Sequence, residues 1–407
     1  MTTLSVSRFS SLSYRTVQRF YALKEVKWQV VNILLFKLVY QKDRQYLLAA
    51  DETVKAKAGK STYGIGLFYS SLAKSVIKSV SFLVISIIDV ESETSYVLGS
   101  QQLIGTLKRK DKEEVSSPKE ASSKKPKGRP KGAKNKPKTE PQSGSYQILK
   151  CLLCLITSSL KSLLPDLKCL HLVLDGFYGH EDYLLLALEY QLQIISKFKT
   201  NAHLILPFDG KQKSKGRPQV KGEKVDSDSK FAKFFVKEID DKDSNVKTKV
   251  YQFQAYTPKI IGKLLNVVVM IHTHQITKKK SRTILFTNDM ELNATTIIKF
   301  YSLRFQIEFD FRDAKQYFGL ADFKNYKQTQ VTNATNLAFS MTVISKLILE
   351  KYKQKLNCPN MGLIDLKAVF RTQKYAQILL NNNSFDPDEF LNSPLFLNIA
   401  RLEAIHI

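Results

Sequence analysis

The order of apolar and polar positions along the chain predicts a fold that mixes helices with strands. Two helical patterns, "SYRTVQRFYAL" and "VKWQVVNILLFKLVYQ", come first. Four runs of strand character follow: "QYLLAADETV", "STYGIGLFYSS", "SVSFLVISIIDV" and "TSYVLGSQQL". A helix at about 146–164 then precedes a strand, a helix and a strand, "CLHLVLDG", "EDYLLLALEYQ" and "QIISKF". This last order favours a parallel strand pair with a crossover helix.

Two segments interrupt that pattern. Residues 105–145 contain almost no apolar side chains and are crowded with Lys, Pro, Ser and Gly, so they predict a disordered, solvated insertion. Residues 201–290 hold a basic loop and then alternating runs, "KFAKFFVKEI", "VKTKVYQFQAY", "LLNVVVMIHTH" and "RTILFTND". Alternation predicts an antiparallel β-rich insertion. A helix starting near Asn293 and a further apolar helix, "ATNLAFSMTVISKLILEKY", come after it.

The helical stretch "YSLRFQIEFDFRDAK", residues 301–315, carries a polar seam between apolar flanks. At roughly 100° per residue, five side chains share one stripe: Tyr301, Arg304, Glu308, Arg312 and Lys315. The back of this helix is predicted to carry Ser302, Gln306, Asp310 and Asp313. One interpretation is an ion-pair ladder, Arg304–Glu308–Arg312, with a few tenths of a kcal/mol per pair. The other is a carboxylate acting beside cations that hold an anion.

The charge of the chain bears on this choice. The net charge is +26 and the pI is near 9.7, which indicates a polyanionic partner, with nucleic acid as the first candidate. No signal-peptide pattern or run of 18 apolar residues is present. Cys151 and Cys154 form a CxxC, but without a second ligand pair, and both are expected to face apolar neighbours in a helix. The expected location is the cytoplasm, associated with the bacterial nucleoid.

Two aspartates stand where active groups of α/β sheets are presented. Asp51 and Asp175 each close an apolar run of strand character, although each alone also suits a turn or a helix N-cap. Glu52 and Asp289 are expected at the surface or in turns. Together with Glu308, the two aspartates predict a site for two Mg²⁺ ions about 3.5–4 Å apart, with Mn²⁺ as a substitute, suited to in-line phosphoryl displacement.

These residues carry a resemblance to a known family. The spacing Y-x2-R-x3-E-x6-K, here Tyr301, Arg304, Glu308 and Lys315, resembles the signature of DDE transposases of the insertion-sequence-four family. The segments "AADETV" and "VLDGFYG" are similar to those holding the family's first and second catalytic aspartates, which match Asp51 and Asp175. The similarity runs from about residue 46 to 325.

The resemblance implies an α/β fold with a ribonuclease H-like catalytic core and a β-rich insertion between the second Asp and the Glu. By this resemblance the metals would be bound by Asp51, Asp175 and Glu308. DNA phosphates would be contacted by Tyr301, Arg304 and Lys315. Arg312 lies on the same stripe of the helix and is also expected to contact DNA. The expected domains are 1–45 (short helical DNA-binding remnant), 46–104, 146–200 and 284–350 (catalytic core), 105–145 (basic linker), 201–283 (β-rich insertion) and 351–407 (C-terminal helices).

Two "GRP" elements are further candidates for DNA contact. "KKPKGRPKGAKNKPK" resembles an AT-hook, in which Lys127, Arg129 and Lys131 would meet a narrow minor groove. The alternative is a flexible polybasic linker. "KSKGRPQVKG", with Arg217, is expected in the β-rich insertion, where it either contacts DNA or forms a surface turn.

The function expected from these features is a DNA transposase that cuts at the ends of its element and joins the freed 3′-hydroxyls to target DNA. Its partners would be transposon-end and target DNA, with a homodimer in the synaptic complex. Only 50 residues precede Asp51, which is short for a complete end-binding domain. Two alternatives therefore stay open: a non-catalytic DNA-binding derivative, and a metal-dependent nuclease that does not join.

Overall fold

A computed structural model describes residues 12–106, 144–225, 228–241, 245–380 and 386–397. Twelve strands of these residues form one mixed sheet. They are β1 (Tyr46–Ala56), β2 (Gly66–Ser70), β3 (Ser75–Asp89), β4 (Thr94–Leu103), β5 (His171–Leu174), β6 (Gln193–Phe198), β7 (Leu204–Pro207), β8 (Lys221–Val225), β9 (Phe235–Asp241), β10 (Val246–Thr257), β11 (Ile260–His274) and β12 (Lys280–Thr287).

Ten α-helices accompany the sheet in the same described residues. They are α1 (Tyr14–Tyr21), α2 (Trp28–Lys37), α3 (Gly144–Leu163), α4 (Glu181–Glu189), α5 (Asp228–Phe231), α6 (Ala294–Leu303), α7 (Gln306–Gln316), α8 (Gln328–Leu356), α9 (Leu363–Leu380) and α10 (Pro387–Leu391). None of the described helices is long and apolar enough to cross a membrane.

The strand order is β2-β3-β1-β5-β6-β12-β11-β10-β7-β8, with β4 paired to β3 and β9 to β10. Only β1–β5 and β5–β6 are parallel pairs; the others are antiparallel. The predicted parallel pair with a crossover helix is thus confirmed, since α4 connects β5 to β6. The fold is a mixed α/β architecture, and its mostly antiparallel sheet is consistent with a ribonuclease H-like core.

The sheet has a core on each face. Alternate residues of β1 point to opposite sides, as the two-residue period of a strand requires. Tyr46, Leu48 and Ala50 enter a cluster with α2, α3 and α4. Leu47 and Ala49 enter a cluster with α6 on the other face, and α7 and α8 bury their apolar sides against β3 and β4 there.

Strands β7–β12 lie between Asp175 and Glu308 in the sequence, where a β-rich segment was predicted. They continue the central sheet, because β12 pairs with β6 and the series extends through β11 and β10. One detail was wrong: the first half of "KFAKFFVKEI" is helical, in α5 and a 3-10 turn at Ala232–Phe234, and β9 begins at Phe235.

The two helices before β1 are present as predicted, and α2 packs into the body of the fold. Trp28 is buried, and its indole N–H donates to Asn333 Oδ1 of α8 at 2.9 Å. Asn32 is fully buried and accepts from Ser340 Oγ of α8 at 2.7 Å. The N-terminal segment is therefore fastened to the C-terminal half of the chain by buried polar contacts.

The expected environment of the two CxxC cysteines was wrong. Cys151 and Cys154 are both exposed on α3. The buried stripe of this helix is instead formed by Tyr146, Leu149, Leu152, Leu153, Ile156 and Leu160. Apolar residues on most sides of α3 concealed which face meets the sheet. Among the described residues, no group of three His, Cys, Asp or Glu side chains is close enough to hold a metal ion.

Candidate functional site

Asp51 and Asp175 lie side by side on neighbouring parallel strands. The last paired residues of β1 and β5 are Ala50 and Leu174, so each aspartate is one residue beyond that pair. Parallel strands end at the same edge of a sheet, which explains why the two carboxyl groups meet there. The prediction that Asp51 ends its strand was wrong. β1 continues to Ala56, because its other neighbour β3 keeps pairing with it.

Glu308 reaches this edge from α7, and the helix that carries it is interrupted. α6 ends at Leu303 and α7 begins at Gln306; the N-cap of α6 is Asn293, near which a helix was predicted to start. Between them the backbone tightens: the N–H of Phe305 donates to Ser302 O, and that of Glu308 to Phe305 O. Such i to i−3 bonds give three residues per turn, so a uniform 100° step does not hold across residues 303–308.

Arg304, at that tightened turn, joins two of the three acids. Its Nη1 donates to Asp51 Oδ2 at 2.6 Å, and its Nη2 donates to Glu308 Oε1 at 3.2 Å. The side chain is only 13% exposed, and its buried Nε has no hydrogen-bond partner. Half of the predicted ion-pair ladder therefore exists, but its strongest contact is with Asp51, on a distant strand.

Tyr301 stands at the second aspartate. Its hydroxyl donates to Asp175 Oδ1 across 3.5 Å, at the outer limit of a hydrogen bond. Burial, opposed by the nearby Arg304 cation, raises the pKa of Tyr301 to about 12. The phenol is therefore protonated at neutral pH and acts as a donor.

The three acids share one electrostatic environment. Burial raises the pKa of Asp51 to about 6, and the charges of Asp175 and Glu308 add to that rise. Arg304 and the backbone N–H of Glu52 oppose it. Three carboxyl groups thus face a single guanidinium, which leaves the site with excess negative charge when all are ionised.

The other cations of the stripe lie apart from this group. Arg312 is exposed, and its Nε donates to Asp313 Oδ1 at 3.1 Å while its guanidinium lies 4.8 Å from the ring centre of Phe309. The predicted pairing of Arg312 with Glu308 was therefore wrong. Lys315, half-buried near the end of α7, has its pKa lowered by burial and by the Lys55 charge.

Comparison with known protein families decides the class of the chain. A family profile described as DDE superfamily endonuclease matches residues 3–257. The chain belongs to the DDE superfamily endonucleases. The match spans Asp51 and Asp175 and ends before Glu308. No curated protein sequence matches the chain.

DDE superfamily endonucleases generally use divalent metal ions, typically Mg²⁺, and the donor chemistry of this site suits them. Carboxylate oxygens are the preferred protein ligands of Mg²⁺. The three acids carry two more negative charges than Arg304 balances. In the geometry described, however, Arg304 holds Asp51 and Glu308, and the acids are not gathered into a ligand cluster. The residues fit a divalent ion once Arg304 releases Asp51.

Of the remaining predicted DNA contacts of this DDE endonuclease, Arg217 alone falls within the described residues. Arg217 is exposed in the loop between β7 and β8. Lys127, Arg129 and Lys131, with nearly all of the predicted basic linker, lie outside the described residues.

Three further acids have partners that sequence reasoning missed. Glu52, expected at the surface, accepts from Ser145 Oγ at 2.6 Å and from the Tyr178 hydroxyl at 3.2 Å. Asp289, expected at the surface or in a turn, follows β12 and pairs with the buried His171 at 2.9 Å.

Asp310, expected at the back of the helix, is fully buried. Its Oδ1 lies 2.6 Å from Lys346 Nζ, and its Oδ2 accepts from Ser86 Oγ at 3.2 Å. This pair fastens α7 to β3 and α8, two residues beyond Glu308. The sequence offered one signal, a single lysine in the apolar run of α8.

Proposed function

We propose that this DDE endonuclease is a transposase of the insertion-sequence-four type, which cuts DNA at the ends of its element and joins the freed 3′-hydroxyls to target DNA. The observation that carries the proposal is the meeting of Asp51, Asp175 and Glu308 from three separate elements around Arg304. Family membership and the net charge of +26 support a DNA substrate.

Asp51, Asp175 and Glu308 are the proposed metal-holding residues. When bound, divalent ions supply activation of the attacking oxygen and stabilisation of the leaving oxygen. Among the described residues Asp175 forms no ion pair: the Tyr301 hydroxyl donates to its Oδ1, and the Arg304 cation acts on it only through space. Asp51 and Glu308 become available when the Arg304 guanidinium leaves them.

Arg304 and Tyr301 are the proposed contacts to the reacting phosphate. A guanidinium released from Asp51 keeps its planar fork, which matches two phosphate oxygens. The protonated Tyr301 hydroxyl can donate to a third oxygen, and its raised pKa excludes a role as a base near neutral pH. Lys315 would bind a more distant phosphate on the same strand.

The test is a cleavage and joining assay with DNA that flanks the coding sequence on both sides, a target plasmid and Mg²⁺. Asp51→Asn, Asp175→Asn and Glu308→Gln should each reduce cleavage at least about 100-fold, the scale at which preorganised charge contributes to such reactions. Glu350→Gln is the matched control. Glu350 is exposed on α8, and its ion pair within the described residues is with Lys353, so its loss should leave cleavage unchanged.

The products separate the proposed function from its alternatives. Joined products from the wild-type protein indicate a transposase, and cut ends without joining indicate a nuclease. DNA binding without either product indicates a non-catalytic DNA-binding protein. Wild-type cleavage by any one of the three carboxylate variants would remove that residue from the proposed site.

A further inference from the structure

The strand that bears Asp51 becomes basic along the same face. Side chains of a strand alternate, so Asp51, Thr53 and Lys55 point to the side on which α7 lies. The backbone N–H of Lys57 donates to Lys78 O, so strand pairing with β3 extends to that residue. One face of this strand therefore carries a carboxylate at one end and two lysines at the other.

Helix α7 follows the strand with the same polarity. At its start, Glu308 is linked to Asp51 through Arg304, which lies just before the helix. At its end, the Lys315 ammonium is close enough to Lys55 for their repulsion to lower the pKa of Lys315. The acidic ends of the strand and the helix thus coincide, and so do their basic ends.

Within the described residues, no carboxylate forms an ion pair with any of these three lysines, which we call the lysine track: Lys55, Lys57 and Lys315. Lys57 Nζ donates to the Phe323 carbonyl at 2.7 Å and lies 3.5 Å from that ring centre. Asp322 is the acid whose charge acts on Lys57, and it does not outweigh burial and Lys55, which lower the pKa of Lys57 to about 8.

A solvated lysine surface does not account for this arrangement. Lysines in water spread apart and keep their ordinary pKa, whereas Lys57 and Lys315 are half-buried and carry an electrostatic cost. Lys57 has contacts that give it a structural role, but no such contact holds Lys55 or Lys315 among the described residues. An arrangement that keeps like charges close is stabilised when an anion binds between them.

We propose that the lysine track binds consecutive backbone phosphates of DNA and sets the direction in which the duplex leaves the carboxylate site. The proposal rests on the proposed function, which brings a DNA strand to Asp51, and it adds Lys55 and Lys57 as binding residues. At ~3.3 Å per strand residue, Lys55 and Lys57 lie roughly 13 and 20 Å from Asp51. With 3.4 Å per base pair, that distance covers about four to six base pairs.

The first test measures lysine protection in EDTA, so that DNA remains uncut. The wild-type protein is treated with an amine-reactive acetylating reagent, with and without a linear duplex of about 30 base pairs, long enough to cover the track. Mass spectrometry then gives the modification rate of each lysine. We expect several-fold slower modification of Lys55, Lys57 and Lys315 with DNA. Lys161, exposed on α3 at the opposite face of the sheet, should be unchanged.

The second test measures the affinity for the same duplex against salt. Lys55→Gln and Lys57→Gln should each lower the slope of log K against log salt by up to ~0.9, the contribution of one phosphate contact. Lys57→Arg keeps the charge and should keep the slope. Lys161→Gln is the matched control of equal charge change. Melting temperatures identify any variant that is unfolded. If Lys57→Gln is unfolded, Lys55→Gln still decides the test.

The outcomes distinguish this proposal from the proposed function. If wild-type protein binds the duplex and cleaves element ends while Lys55 and Lys57 stay unprotected with unchanged slopes, the lysine track is wrong and the proposed function stands. If the wild-type protein binds no DNA, both are wrong. Protection of the track together with lowered slopes supports the track even when the joining assay fails.

Discussion

Replacing Arg304 should both lower the stability of the metal-free protein and abolish its cleavage activity. Arg304→Gln removes the cation between Asp51 and Glu308 while it keeps most of the side-chain length. The contact with Asp51 at 2.6 Å joins residues whose side chains are 13% and 21% exposed, so it is largely shielded from water. The contact of Arg304 with Glu308 is 3.2 Å long and the Glu308 side chain is 40% exposed, so this contact contributes much less to stability.

The expected loss follows from this burial. Removing one partner of a fully buried ion pair costs about 3–5 kcal/mol, because the other charge stays behind uncompensated. Asp51 retains some solvent contact and can take up a proton, so we expect about 2 kcal/mol here. A purely local ladder with Glu308 would give only about 0.3–0.5 kcal/mol. The two possibilities therefore differ by more than the error of an unfolding measurement.

Urea unfolding in EDTA can be followed by the fluorescence of Trp28, the single tryptophan, which is buried against α8. Arg304→Lys should lie between the wild type and Arg304→Gln, since an ammonium reaches one acid and lacks the fork. Arg312→Ala is the matched control, because Arg312 is exposed, and it should shift stability by about 0.5 kcal/mol or less.

Added Mg²⁺ provides a second measurement on the same proteins. It should stabilise Arg304→Gln more than the wild type, because the variant has no internal cation to displace from the carboxylates. Cleavage by Arg304→Gln should fall about 100-fold or more. Full activity together with unchanged unfolding and an equal response to Mg²⁺ would refute the reasoning about Arg304.

Two further predictions concern one buried and one half-buried group outside the carboxylate site. Asp310→Asn should lower the free energy of unfolding by about 3 kcal/mol, since Lys346 loses its carboxylate in a buried setting, and Asp310→Leu combined with Lys346→Met should recover much of that loss. Burial lowers the pKa of His272 below the ordinary histidine value of 6.5. Below pH 6.5 the unfolded chain therefore binds more protons at this histidine than the folded protein does. Stability should decline as pH falls through that range. His272→Gln should flatten this part of a melting-temperature profile between pH 5 and 8.

The carboxylate site could be foreseen from sequence to the extent that local patterns fix it. Asp51 and Asp175 follow continuous apolar runs, the pattern of strands buried on both faces, and parallel strands bring such ends together. The true length of β1 could not be read in the same way. Its second half, "ETVKA", is paired on one side by β3 alone, so its polar residues do not signal a strand.

The partners of the charged residues were the least predictable part. Sequence spacing offers Arg304 only its helical neighbours, whereas its closest acid is Asp51, 253 positions away. The same holds for Asp310 and Lys346, whose pairing depends on how α7 packs on α8. The tightened turn before α7 adds to this for Arg304, because a projection that assumes one regular helix misplaces the residues before that turn relative to those after it.

Arg304 links the stability of this fold to the chemistry at its edge. Three carboxyl groups brought together by β1, β5 and α7 repel one another, and their burial already raises the pKa of Asp51 to about 6. A cation within the chain relieves that repulsion during folding, when no DNA or metal is bound. If Asp51 holds a divalent ion, as proposed, the same contact has to open first, so tighter pairing would stabilise the protein and weaken metal binding. A guanidinium that contacts only two of the three acids would be a compromise between these demands, because no ion pair among the described residues holds Asp175 while Asp51 is held.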